Sequence, residues 1–201
     1  MEVRNIVYDE TIGEAGKLDL YLPDGIENCP VLVYFHGGGL EGGDKCDMLP
    51  FFRELQKNGI AVVSANYRMY PCAKFPEFIL DCASVVSWVK NKSHRYACFG
   101  EIFVGGSSAG AYLAMMLFFD KYYLGEHGID PNELAGYLFD AGQPTVHFNV
   151  LRERGLDNRL VRIDEAAPLY FIEHEYENPQ SLPTILIFVA DNDMANRLEQ
   201  N

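Results

Sequence analysis

Two short glycine-bearing stretches carry the residue types that acyl-transfer chemistry needs. The first is Gly105-Gly106-Ser107-Ser108-Ala109-Gly110, set between an apolar run at residues 101–104 and an apolar helical pattern at 109–119. In the frame Gly106, Ser108, Gly110 it reads G-x-S-x-G and puts Ser108 on a sharp strand-to-helix turn. Such a turn strains the nucleophile's backbone and admits no bulky side chain two residues to either side, a demand that glycine meets. It also sets Ser108 at the N-terminus of its helix, where amides and dipole favour developing negative charge. Ser107 is the rival nucleophile, in a frame that ends on Ala109 instead of glycine. A glycine-rich turn with two incidental serines is the plainer alternative, and the strand before and helix after weigh against it.

The second stretch is His36-Gly37-Gly38-Gly39, directly after the apolar run 31–35. Three glycines let a backbone aim its amides at a bound carbonyl oxygen. The amides of Gly38 and Gly39, with that of Ala109, would then form an oxyanion hole, commonly the largest single contribution to acyl transfer. A flexible turn or a phosphate loop are the competing readings. Gly42-Gly43-Asp44-Lys45 runs acidic where a phosphate loop needs its lysine and hydroxyl. His36 reads as a structural brace for the loop and not as a proton shuttle.

These residues need elements to position them, and the chain supplies an alternation of the right kind. Residues 3–8, 18–22, 31–35, 60–66, 101–104, 134–139 and 185–189 read as strands, the first two joined by the turn-like Gly13-Glu14-Ala15-Gly16. Several are continuous apolar runs rich in branched and aromatic residues, as strands covered on both faces require. Residues 48–58, closed by Gly59, and 76–90, opened by proline, show helical spacing, and 109–119 is apolar nearly all round. Strand alternating with helix predicts an α/β fold with a mostly parallel sheet.

Composition narrows the field further. The 201 residues carry 16 basic and 29 acidic side chains, a net charge of −13 that repels a polyanion, so no nucleic-acid partner is expected. No apolar run approaches the roughly 20 residues of a membrane span, and the first residues have no signal-peptide character, which predicts a soluble cytoplasmic protein with no membrane partner. The five cysteines, Cys29, Cys46, Cys72, Cys82 and Cys98, form no C-x-x-C pair and read as reduced thiols filling apolar gaps. No spacing implies a metal or an organic cofactor.

Taken together, the motifs resemble the α/β-hydrolases, within them the esterase/lipase group related to hormone-sensitive lipase, and especially its short, capless feruloyl/acetyl esterases and arylformamidases. Leu18-Asp19-Leu20-Tyr21-Leu22-Pro23 resembles the group's "lDvYlP" strand. Asn66-Tyr67-Arg68-Met69-Tyr70-Pro71, followed by Phe75-Pro76 and Asp81, is similar to its "nYRl-P…fP…D" segment. Asp164-Glu165-Ala166-Ala167-Pro168-Leu169 is similar to its "deaSPl" segment, and Ala190-Asp191-Asn192-Asp193 to "hGe-D". The last match puts Asp193 at the position of the acid that holds a catalytic imidazole in one tautomer.

The resemblance implies an α/β-hydrolase fold in a single domain over residues 1–201, with 141–183 bordering the pocket. It also implies a serine hydrolase that cleaves short or sugar-linked acyl esters through an acyl-enzyme. An arylformamidase-type amide hydrolase and an inactive binding protein are the alternatives. The chain order should run serine, acid, histidine. No histidine follows Asp193, while His94, His127, His147 and His174 precede it. The expectation is therefore a chain that is C-terminally incomplete, lacking its last strand and helix, with the base beyond Asn201. The alcohol part of the substrate and the oligomeric state have no signature in the sequence.

Overall fold

The structure, a computed structural model, describes residues 1–25, 27–97, 99–175 and 182–191. Seven strands form one sheet: β1 (Glu2–Val7), β2 (Lys17–Tyr21), β3 (Cys29–Phe35), β4 (Ala61–Ala65), β5 (Phe99–Ser107), β6 (Gly136–Asp140) and β7 (Thr184–Phe188). Their order is β1-β2-β4-β3-β5-β6-β7. The β1–β2 and β2–β4 pairs are antiparallel, and β4, β3, β5, β6 and β7 run parallel. Among the described residues six α-helices accompany them: α1 (Leu49–Lys57), α2 (Glu77–Lys92), α3 (Ala109–Phe119), α4 (Lys121–Gly125), α5 (Phe148–Glu153) and α6 (Pro168–Glu175). This is the mostly parallel α/β architecture that the alternating pattern predicts.

The period of two along each strand sorts the core into two layers. Val31, Val33 and Phe35 of β3, with Ala61, Val63 and Ala65 of β4, face the buried sides of α2 and α3. Leu32, Tyr34 and Val62 point the other way and, with Tyr21, pack on Phe52 of α1. Continuous apolar runs are thus the natural sequence of strands with helices on both faces. Residues 109 to 118 of α3 are all buried, which explains why that helix shows no polar stripe. Gly59, with φ of +82°, follows α1 as the expected glycine stop.

Parts of the structure depart from the sequence expectations. Helices α4 and α5 have five and six residues, too few for a periodic pattern to register, so the sequence pattern predicts neither. Helix α5 starts where the His147 Nδ1 accepts the amide hydrogen of Asn149 at 3.2 Å, an N-terminal cap. The cysteine expectation needs correcting too. Cys29 and Cys82 are buried gap-fillers and Cys98 lies outside the described residues, but Cys46 and Cys72 are exposed on loops, where the core offers no gap to fill.

Candidate active site

The C-terminal ends of β3, β4, β5 and β6 lie along one edge of the sheet, so the segments leaving them converge there. Open α/β sheets place their ligands at that edge. At the end of β5 the chain turns through Ser108 into α3. Ser108 takes φ 54° and ψ −114°, a conformation that side-chain-bearing residues avoid at a cost of about 1–3 kcal/mol. Its amide donates to the Asp140 carbonyl at 2.7 Å and its carbonyl accepts from Tyr112 at 3.0 Å, so neighbouring β6 and α3 hold the turn in place. The flanking glycines have a steric cause. A Cβ on Gly106 would stand 2.5 Å from the Phe35 carbonyl oxygen, and one on Gly110 only 1.9 Å from the same atom. The helix and the neighbouring strand could not approach so closely around any other residue. Ser108 itself is half-buried.

Ser107, the rival, has a different environment. It ends β5 on the sheet face that carries Tyr34, a buried member of the α1-side layer whose pKa burial pushes up to about 12. The two adjacent serines thus serve opposite faces of the sheet.

The glycine loop after β3 lies against this turn: a Cβ on Gly37 would be 3.4 Å from the Ser108 Cβ. Gly38, Gly39 and Leu40 are three successive residues with φ of 108°, 67° and 64°. Such a run has each of its carbonyls held by a hydrogen bond. The Gly38 carbonyl accepts the amides of Glu41 and Gly42, both at 3.1 Å, and the Leu40 carbonyl accepts the Tyr70 amide at 2.8 Å. The Gly39 carbonyl accepts the Asn149 side-chain amide at 2.8 Å. Among the described residues, the amides of Gly38, Gly39 and Ala109 donate to no backbone carbonyl. Carbonyls anchored and amides left over is the state an anion cradle requires.

The segment after β4 braces the loop from behind. Asn66 accepts the Lys45 amide at 2.7 Å and donates to Asp44 at 3.1 Å. Tyr67 donates its hydroxyl to the His36 carbonyl at 2.8 Å and stacks its ring on the imidazole, centroids 4.5 Å apart. Arg68 grips Asp81 of α2 through several bonds of 2.8–3.2 Å and Glu77 at 2.9 Å. His36 is buried, and burial pushes its pKa below the ordinary imidazole value.

The other sequence candidates are placed as follows. Asp193 and its neighbour Asn192 lie outside the described residues, and Asp191 is exposed at the end of the described stretch. His94 and His127 are exposed and precede the N-terminal ends of β5 and β6, on the far side of the sheet from Ser108. His147 lies on the Ser108 side, buried, its ring 5.1 Å from that of Tyr112. Among the described residues no group of three or more His, Cys, Asp or Glu side chains could hold a metal. No described helix is long and apolar enough to cross a membrane. Sequence reasoning missed Phe148, Asn149 and Arg152, which touch the glycine loop or its flank. The one available signal was the three-residue spacing of Asn149 and Arg152, which places them on one helix face.

Comparison with known proteins identifies the group to which this arrangement belongs. The BD-FAE family model matches residues 18–132, more than half of the chain, including both glycine motifs. The chain belongs to the BD-FAE family. It falls within the α/β-hydrolase esterase group, and its sequence relatives agree. Tuliposide A-converting enzyme b1 of Tulipa gesneriana is 31% identical over 123 residues, 53% of this chain and 32% of that enzyme. Carboxylesterase NlhH of Mycobacterium tuberculosis is 32% identical over 119 residues, 55% of this chain and 37% of the relative. The BD-FAE chain thus spans about a third of the length of the curated relatives it matches. Esterase B of Lactobacillus rhamnosis superposes with a TM-score of 0.72 at 18% identity, covering 100% of this chain and 68% of that one, a likeness of fold.

Proposed function

We propose that the protein is a serine esterase that cleaves carboxylic esters with short or sugar-linked acyl groups through an acyl-enzyme. The observation that carries the reading is the strained turn at Ser108, packed against a loop whose carbonyls are anchored and whose amides are left over. Ser108 attacks the ester carbonyl, and the amides of Gly38, Gly39 and Ala109 receive the negative charge that develops on its oxygen. The first turn of α3 adds its dipole to that stabilisation. The alcohol leaves, and water attacks the acyl-enzyme to release the acid. A hydroxyl needs a base to take its proton, and we assign Asp193 as the acid that orients an imidazole base. His94 and His127 are excluded from that role by their place at the opposite end of the strands. His36 serves as a brace, since its buried ring is already engaged with Tyr67 and the Gly37 carbonyl. Membership of the family and the carboxylesterase relative support the ester as the bond cleaved.

The test is hydrolysis of p-nitrophenyl acetate, propionate and octanoate by the protein and by Ser108→Ala. Acetate should be turned over faster than octanoate, and the variant should lose a factor on the order of 10³ or more. Equal rates for parent and variant would remove Ser108 from the reaction.

A further inference from the structure

We infer that Asn149, on the first turn of α5, is a positioning residue for the glycine loop, holding it in the one conformation that leaves its amides free. The inference rests on the reading of that loop as an oxyanion cradle. The loop cannot hold itself. Leu40 at φ 64° is a side-chain-bearing residue in the left-handed region, which costs roughly 1–2 kcal/mol. Among the carbonyls of Gly37 to Leu40, bonds from within the loop reach only those of Gly37, from the His36 ring, and Gly38. The next carbonyl, that of Gly39, is held from 110 residues away by the Asn149 Nδ2 at 2.8 Å. Asn149 is 2% exposed, so the donating side chain is itself shielded from water.

A side-chain amide is useful here only if its nitrogen end faces the loop, and the neighbours fix that orientation. Arg152 donates to the Asn149 Oδ1 at 2.8 Å, which turns Nδ2 toward Gly39. The same guanidinium pairs with Glu41, on the far side of the loop, and lies 5.2 Å from the ring centre of Tyr70. Tyr70 in turn donates its amide to the Leu40 carbonyl. Phe148 closes the remaining side, since a Cβ on Gly39 would stand 3.0 Å from its Cζ. One turn of α5 therefore grips the loop at a carbonyl, a carboxylate and a glycine face. Nothing in this set touches the reacting atoms, so its effect on the reaction passes through the placement of the Gly38 and Gly39 amides.

The experiment uses Asn149→Asp, which keeps the side chain's shape and its contact with Arg152 but removes the donor and sets a carboxylate oxygen against the Gly39 carbonyl. Asn149→Ala is the second variant, and matching urea midpoints confirm that the proteins compared are folded. Hydrogen exchange is read at the Glu41 and Gly42 amides, which bond the Gly38 carbonyl and report loop closure directly. Loss of a hydrogen bond of ordinary strength should speed exchange there about tenfold, with α2 and α3 unaffected. In p-nitrophenyl acetate hydrolysis, kcat should fall by about ten- to a hundredfold with KM within about twofold of the parent, the pattern of an interaction used in the transition state. Unchanged exchange in both variants would overturn the inference, as would faster exchange with kcat intact. If Ser108→Ala and the parent hydrolyse the ester equally, the esterase reading fails by itself. The exchange measurement then decides alone whether Asn149 holds the loop.

Discussion

At the residue scale, His36 shows how a motif position acquires a physical role. Its ring lies nearly parallel to that of Tyr67, and Nδ1 meets the Gly37 carbonyl at 2.7 Å, so Nδ1 carries the proton. Nε2 is buried and has no partner among the described residues. Protonating it would place a charge in the core with nothing to receive it, which is why burial pushes the pKa down. The unfolded chain therefore takes up a proton that the folded chain refuses. Stability is full above the ordinary histidine value of about 6.5 and falls as pH drops below it, by up to about 1.4 kcal/mol per pH unit. His36→Phe keeps the stacked ring and removes the titration. Its urea midpoint should start lower at pH 8, for want of the Gly37 bond, yet decline less steeply between pH 6.5 and 5 than the parent's. Parallel declines would show that another group sets the acid limb.

Elements are joined near the site by a buried ion pair that the sequence shows only as one letter of a strand. Asp19 of β2 is 1% exposed, and it accepts from Arg4 of β1 at 2.7 Å, from Lys45 at 2.9 Å and from the Asn5 amide at 2.8 Å. Lys45 belongs to the loop that starts at the glycine motif, and its own amide is held by Asn66 after β4. The carboxylate thus ties the antiparallel margin of the sheet to the far end of the candidate oxyanion loop. Removing it would leave the mostly buried Lys45 ammonium without its counter-charge. Asp19→Ala should lower unfolding free energy by about 3 kcal/mol or more in urea titration. A loss under about 1 kcal/mol would mean that water or a shifted side chain replaces the carboxylate. The alternation of strands and long helices could be read from the sequence, because period two and period 3.6 are local patterns. The helix that grips the loop, α5, could not, because six residues carry too little periodicity.

At the scale of the whole molecule, the two faces of the sheet are covered unequally by the described residues. The layer under α2 and α3 is closed, whereas beside α1 a groove of about 420 Å³ is lined by Leu32, Phe51, Leu55, Phe103, Leu138 and Leu186. Among the described residues β7 pairs with β6 alone, and its Leu186, Ile187 and Phe188 are 50%, 46% and 50% exposed. Parallel strands prefer cover on both faces, and an open apolar edge is a site of self-association. The net charge of −13 opposes that association and is screened by salt. The 201-residue chain should therefore scatter more light as salt rises from 0.05 to 0.5 M, and Leu186→Lys should reduce both this rise and the binding of an apolar dye. The same scattering in parent and variant would show that the groove is not the contact.

Legible along the chain were the α/β class, the two-sided strands, the sharp turn at Ser108 and the need for glycine on either side of it. Each depends on interactions within a few residues: the side-chain alternation of a strand, the sterics of one sharp turn. The environment of each serine and the holding of the loop depend on tertiary structure. The glycine frame separates Ser108 from Ser107 along the chain, and the fold adds that Ser107 ends β5 on the Tyr34 face while Ser108 takes the strained turn into α3. Asn149 reaches the Gly39 carbonyl across 110 residues because the strand order brings the ends of β3 and β6 to one edge. A hydrogen bond of that span is fixed by which strands are neighbours, and strand order leaves no mark on the spacing of residues along the chain.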